Sequence, residues 1–264
     1  MSFLPSAPWR DAFLSHISKM PMPTFVLSTL HRAPPGSLTE WLPRARTCVF
    51  RGMWCALPEN DLNNAEKNPA AFESDCVTFT TDKRMLKYGE IFASGEAPAG
   101  EGVSGGGGPV EAVWWVEEVG FQWRVKGRAY IVGNDIDDGG LGAAKAREAL
   151  QQRMGTKDEK QVAEWTWSRE LTAHFGNLSP TMRGTFKRPP PGTPADKPYD
   201  DKTLQLGTKL KGLDDAVARE NFQVVVIVPD EVEKLDLNDP VEGRRHNYIY
   251  QAQSGRWHME VLWP

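Results

Sequence analysis

The chain has 264 residues, of which 40% are hydrophobic and 25% charged, and its net charge is −4. That length suits one large domain or two small ones around a real core, and the composition is that of an ordinary soluble globular protein. The acidic balance argues against nucleic acid or a polybasic membrane contact as partner, and no apolar run approaches the ~20 residues of a membrane span.

The N-terminal stretch lacks a basic start followed by an apolar block, so no secretory signal is expected. Three cysteines (Cys48, Cys55, Cys76) without metal spacing point to a reducing, cytoplasmic setting. In chain order, Ser6 to Met20 reads as a short helix with Trp9, Phe13, Ile17 and Met20 on one side. Thr24 to Leu30 reads as a strand, and the stretch Arg44 to Trp54, its apolar run closed by Gly52, as a second. Asp61 to Glu73 is polar and reads as loop. Cys76 to Thr81 is a third strand, running into a helix from Asp82 to Tyr88 with Asp82 as its N-cap. Gly95 to Pro109, with four glycines at 105–108, reads as a surface loop.

Val110–Val116 and Phe121–Val132 are expected as two strands around a turn at Glu117–Gly120. The second alternates, with Phe121, Trp123, Val125, Ala129 and Ile131 on one face and Gln122, Arg124, Lys126, Arg128 and Tyr130 on the other. Gly142 to Phe175 is helical in pattern, Lys187 to Tyr199 is proline-rich loop, and Gln205 to Arg219 holds one short helix. Phe222–Val228 is a β-branched strand, and Tyr248–Gln251 with His258–Leu262 forms a terminal hairpin across Ser254-Gly255. About seven strands, mostly joined as hairpins, indicate an antiparallel barrel with α elements. The ten tryptophans read as bulky filler of core and interface.

Few motifs carry chemistry. Gly102-Val-Ser-Gly-Gly106 matches G-x-S-x-G, but the strand before and helix after that a nucleophile elbow requires are missing. The five histidines are scattered without metal-ligand spacing, so no metal is expected. The arginine-led strand is more telling. Alternation puts Arg46 on the face of Cys48 and Phe50, and Arg51 on the face of Thr47 and Val49, so one arginine must approach the core. After Thr80 and Thr81 come Lys83, Arg84 and Lys87 on the first turns of the expected helix. Cations there oppose the helix dipole unless an anion such as phosphate rests on the free N–H groups.

In order, these segments resemble the FMN-binding split-barrel family of pyridoxamine 5'-phosphate oxidase, in its oxidase-like branch from fungi, plants and cyanobacteria. Arg46-Thr-Cys-Val-Phe-Arg-Gly52 looks like that branch's R-T-V-V-F-R-G, and Thr81-Asp-Lys-Arg-Met-Leu-Lys87 like its T-D-x-R-S-x-K. Trp114-Trp-Val with Phe121-Gln-Trp-Arg-Val-Lys-Gly127 resembles W-Y-F followed by Q-F-R-I-x-G, and Val228–Leu237 and Trp257–Pro264 fit near the C-terminus. The resemblance implies a mainly β fold with α elements, an antiparallel split barrel. It would form one domain over residues 1–264, with loop inserts near 95–109 and 185–204 and a helical insert near 142–176.

It further implies FMN held by Arg46, Thr47, Cys48, Val49, Phe50, Arg51, Thr80, Thr81, Arg84, Lys87 and Gln122, at a homodimer interface. Arg51, Arg244 and His246, with Arg183 from the helical insert, are the candidates for a small anionic substrate. No catalytic residue is named. Met85 and Leu86 depart from the family pattern, as does Tyr248 in the partial echo Arg244-Arg-His-Asn-Tyr248 of the oxidase's R-L-H-D-R. The expected activity is that of an FMN-dependent oxidoreductase. A non-catalytic FMN- or ligand-binding protein and a cofactor-free interaction scaffold are the alternatives.

Overall fold

The computed structural model describes residues 6–96, 102–196, 201–239 and 241–264. Among these residues ten strands and six α-helices follow in chain order. They are α1 (Arg10–Ile17), β1 (Thr24–Arg32), β2 (Trp41–Val49), β3 (Phe72–Ser74), β4 (Val77–Asp82), α2 (Leu86–Ala93), β5 (Gly105–Val116) and β6 (Phe121–Val132). Then come α3 (Leu141–Gln151), β7 (Met154–Thr156), α4 (Trp167–Gly176), α5 (Pro180–Thr185), α6 (Ala216–Asn221), β8 (Phe222–Asp236), β9 (Arg245–Gln251) and β10 (Arg256–Leu262). Among the described residues no helix is long and apolar enough to cross a membrane.

Alternation in β6 becomes the wall of a barrel. Trp123, Val125, Ala129 and Ile131 are fully buried. On the opposite face Arg124 pairs with Glu111 at 2.6 Å and Lys126 with Glu231 at 2.7 Å. The main sheet is antiparallel with the order β10-β9-β8-β6-β5-β1-β2. β4 pairs with the first half of β8, from Asp82 opposite Phe222 to Val77 opposite Ile227, and β9 with the second half.

The ring does not close as a continuous ladder. It closes at one joint, where Arg51 N–H donates to Thr78 O and Thr78 N–H to Gly52 O, each at 2.9 Å, beside a bridge between Met53 and Val77. This is a split barrel. Inside it, Phe13 from α1 meets Trp114, Trp123, Phe50 and Trp9 edge-on, at centroid distances of 5.1 to 5.8 Å. A second core lies between β8 and the helices after β6, built on Trp54, Phe72, Trp167, Leu171, Phe175 and Phe222. β8 therefore faces apolar surroundings on both sides, which explains its uninterrupted β-branched run.

Three expectations are corrected. The glycines at 105–108 belong to β5 rather than to a loop; residues 97–101 of that expected loop lie outside the described residues. Their bare backbone seats α2: a Cβ on Gly108 would lie 2.3 Å from Ser94 Oγ and 2.6 Å from Ile91 O. Gly106, at φ +98°, adopts a conformation open to glycine at little cost. Next, α2 starts at Leu86, not Asp82, because Asp82 is still paired in β4 and its carboxylate accepts the Arg84 N–H at 2.8 Å. Finally, the helical stretch near 142–176 is two α-helices with a 3-10 helix (Glu159–Glu164) between them, since Met154–Thr156 leaves the helix to pair with β3, and Thr166 caps α4 by accepting Arg169 N–H.

Candidate functional site

Arg46 finds its anion inside the chain. Opposite Leu27 of β1, on the inner side of the sheet, its Nη2 lies 2.5 Å from Glu90 Oε2. Glu90 comes from α2 and is 4% exposed; it also accepts the Thr29 hydroxyl at 2.6 Å and has His31 Nδ1 at 3.2 Å from Oε1. Arg46 Nη1 in turn donates to the Thr29 hydroxyl. The arginine near the core is thus neutralised by a buried carboxylate.

Beside this network the structure gathers Cys48, Thr81 and Lys87. The Lys87 ammonium lies 3.4 Å from Thr81 Oγ1 and 2.9 Å from Met85 Sδ, with no carboxylate in ion-pair contact among the described residues. Burial pushes its pKa down, against the pull of Cys48, Asp82 and Glu90. Burial pushes the Cys48 thiol up, and the charges of Lys87 and Arg46 draw it back. Met85, where the family pattern has serine, fills the place of a hydroxyl with a thioether.

Arg84 is committed elsewhere. Its Nε and Nη2 grip the Asp82 carboxylate at 2.9 and 2.6 Å, while Nη1 and Nη2 reach the carbonyls of Arg188 and Phe186. Thr80 lies on the opposite face of β4 from Thr81, and Thr47 and Val49 face outward from β2, away from Cys48 and the buried Phe50. Arg51 follows them outward. Its Nη2 lies 3.5 Å from Met182 Sδ of α5, and its Nε is buried without a hydrogen-bond partner among the described residues. Burial lowers its pKa as well.

The remaining candidates sit apart. Arg183 is 5% exposed, with its guanidinium carbon 6.0 Å from the Phe175 ring centroid, so it is part of the second core rather than of an open site. Gln122 occupies the outer face of β6, in register with Trp115 and with Leu235, which in turn pairs with Arg245. Arg244 stacks on Trp263 at 4.6 Å and pairs with Glu242 at 3.0 Å. His246 pairs in register with Lys234, and burial lowers its pKa. β1 and β5 separate β2 from β6, so Gln122 lies roughly 14 Å across the sheet from the Arg46 strand. One chain therefore holds two groups, Arg46, Cys48, Thr81 and Lys87 beside α2, and Gln122, Arg244 and His246 on the β6–β8–β9 side; Arg51 stands at the joint, on the face opposite Cys48 and against α5.

Of the two carboxylates that decide how many cations are free, Glu90 escaped the sequence reading, and Asp82 was read as a helix cap rather than as the partner of Arg84. A carboxylate three residues after Lys87 in an otherwise apolar helix was the available signal. Ser104 of the G-x-S-x-G match is 2% exposed, donates to Asp135 Oδ1 at 2.6 Å and accepts Gly133 N–H at 2.9 Å, a loop tie.

An antiparallel barrel split at a joint, with helices packed on one side and cations beside the split, defines the class as a split-barrel protein. Residues 6–133, just under half of the chain, match the sequence model of the family described as pyridoxamine 5'-phosphate oxidase, FMN-binding domain. Every candidate from Arg46 to Gln122 falls inside the match; Arg183, Arg244 and His246 fall outside it. Among solved structures the chain is similar to a pyridoxamine 5'-phosphate oxidase-related, FMN binding protein from Nostoc punctiforme. The two are 20% identical with a TM-score of 0.60, over 99% of this chain and 100% of that one, a likeness of fold. It is also similar to PhzG from Burkholderia lata in complex with tetrahydrophenazine-1-carboxylic acid, at 14% identity and a TM-score of 0.47, over 98% of this chain and 94% of that one. A comparison with curated proteins gives no match.

Do the residues fit the FMN that the family name implies? Among the described residues Lys87 has no carboxylate partner and lies beside a hydroxyl, and Arg51 has a buried unpartnered N–H; both suit an anion. Arg46 and Arg84 are neutralised internally. The fit holds at two of the four expected cations.

Proposed function

We propose that the protein is an FMN-binding flavoprotein that acts as an oxidoreductase of the pyridoxamine 5'-phosphate oxidase type, as a homodimer in the cytoplasm. One observation carries the reading: within the segment matching the family, Lys87 is a largely buried ammonium that lacks a carboxylate partner among the described residues and lies beside the Thr81 hydroxyl. In this reading Lys87 and Thr81 hold the flavin phosphate, and Arg51 offers a second cationic contact to the flavin or to a small anionic substrate. The bound flavin supplies the redox chemistry, and the chain supplies position and electrostatics.

The homodimer follows from the division of the candidates. Gln122, Arg244 and His246 of one copy complete the site built on the other copy's Arg51, Thr81 and Lys87. Exposed apolar side chains on the outer sheet face, Val26, Trp115 and Ile249 at 37–47% exposure, support that face as the contact. Three free thiols suit a reducing cytoplasmic compartment.

The test is the visible spectrum of the purified protein, before and after adding FMN and desalting. Retained flavin, weakened at least tenfold in Lys87→Ala, is the expected outcome; each charge-assisted contact to a phosphate is worth about 1.5–3 kcal/mol. A protein that releases all added FMN would exclude the flavoprotein. The internal pairing of Arg46 and Arg84 favours one second reading, a binder with a weak phosphate hold and no oxidase activity. Flavin retention without turnover of pyridoxamine phosphate identifies it.

A further inference from the structure

Arg153, in the turn between α3 and β7, is 9% exposed, and its guanidinium carbon lies 3.5 Å from the centroid of the Tyr250 ring and 5.5 Å from that of Trp257. Its Nη2 is buried with no hydrogen-bond partner among the described residues. Two more such atoms lie close by. Asp75 accepts the Ala7 N–H at 2.8 Å on Oδ2, while its Oδ1 has Arg10 Nε at 3.3 Å, an ion-pair distance at which neither atom has hydrogen-bond geometry. Asp75 and Arg153, with Glu73, Ser74, Tyr250 and Trp257, line one small pocket of about 20 Å³.

A buried donor or acceptor left without a partner is destabilising, because its lost hydration is not replaced. A water needs about 10–15 Å³ and two to four polar partners. The pocket has the room for one water and is too small for a phosphate or an organic acid. Glu73 of β3, Asp75 and Arg153 are the charged side chains that line it, with Arg10 of α1 against Asp75 and Asp230 also acting on Arg153; the surplus of carboxylates disfavours an anion.

We infer that this pocket is a hydration site for a single water, which accepts from Arg153 Nη2 and donates to Asp75 Oδ1. Burial pushes Asp75 up to about 6 despite the Ala7 N–H and the Arg10 charge, as expected of a carboxylate short of donors, and the water supplies one. The site joins four stretches distant in sequence: the N-terminal segment with α1, the β3–β4 connection, the α3–β7 turn, and the β9–β10 hairpin through Tyr250 and Trp257. Trp9 adds a direct edge-on contact to Trp257 at 5.6 Å. None of this touches the proposed flavin residues.

A crystal structure of the full chain at a resolution that shows waters tests it. The expected result is one peak at hydrogen-bond distance from both Arg153 Nη2 and Asp75 Oδ1. No peak, direct contact between the two side chains, or a peak with the anomalous signal of a halide would overturn it. In solution, Arg153→Met keeps the stem and removes the donor. Hydrogen exchange of the Tyr248–Gln251 amides should then speed up at least tenfold while β6 is unchanged; unaltered hairpin protection overturns the junction.

Discussion

The pairing of Arg46 with Glu90 sets both the stability and the charge of the joint region. Removing one partner of a buried pair leaves the other desolvated without compensation, at a cost of about 3–5 kcal/mol. Glu90→Gln should therefore lower the unfolding free energy by about 3 kcal/mol, while Arg46→Met with Glu90→Leu should recover most of that. Urea melts of the single and double variants decide; equal losses in both would mean the pair is not coupled. His174 makes a second prediction. It is fully enclosed, stacked on Trp54 at 5.7 Å, with Glu170 3.8 Å away and the Arg51 charge nearby. Burial pushes it down to about 3, and Arg51 acts in the same direction. A histidine held neutral in the fold and free to charge when unfolded contributes stability that is full above about pH 6.5. That stability falls by about 1.4 kcal/mol per pH unit below, towards the folded value. Wild type should lose stability relative to His174→Phe as the pH drops from 7 to 4; parallel curves would contradict a buried neutral imidazole.

At the scale of elements, the seat of α2 on the glycines of β5 can be tested by one methyl. Gly108→Ala puts a carbon against the Ile91 carbonyl and should cost about 1–3 kcal/mol. It should also weaken flavin retention, because α2 carries Lys87. Gly139→Ala, with nothing within 4 Å, is the control and should change neither. A melt in which the two variants match would remove the seat from consideration. The same elements explain how far the sequence could be read. β6 was legible to the residue because one face is core and the other water, so polarity alternates. The split barrel was legible as a resemblance carried by ordered motifs. The glycine strand was not, since its composition states what is absent, and the reason for the absence is a helix arriving from elsewhere in the chain. Nor was the start of α2, where Asp82 met a cap's description but was already held by pairing with Phe222. Of the site, the cations were legible and their counter-ions were not: Arg46 and Glu90 lie 44 residues apart, and only folding brings them together.

For the whole molecule, the two groups of candidate residues predict complementation. If the proposed dimer shares its site between copies, Lys87→Ala and Gln122→Ala each remove one half of it. Unfolding and refolding the two variants together should give mixed dimers with one intact site, recovering about a quarter of the flavin capacity under random pairing. No recovery above either parent would mean that each chain builds its site alone.

The joint of the barrel has one more consequence. A ring fastened at a single place is a clasp. Arg51 stands on the side of it that continues β2, whereas Thr81 and Lys87 stand on the side formed by β4 and α2. A ligand gripped from both sides lies across the clasp like a rivet, so that occupancy and closure become one equilibrium. The residence time of the ligand would then be set by how often the clasp opens, and the two amides of Arg51 and Thr78 would report it.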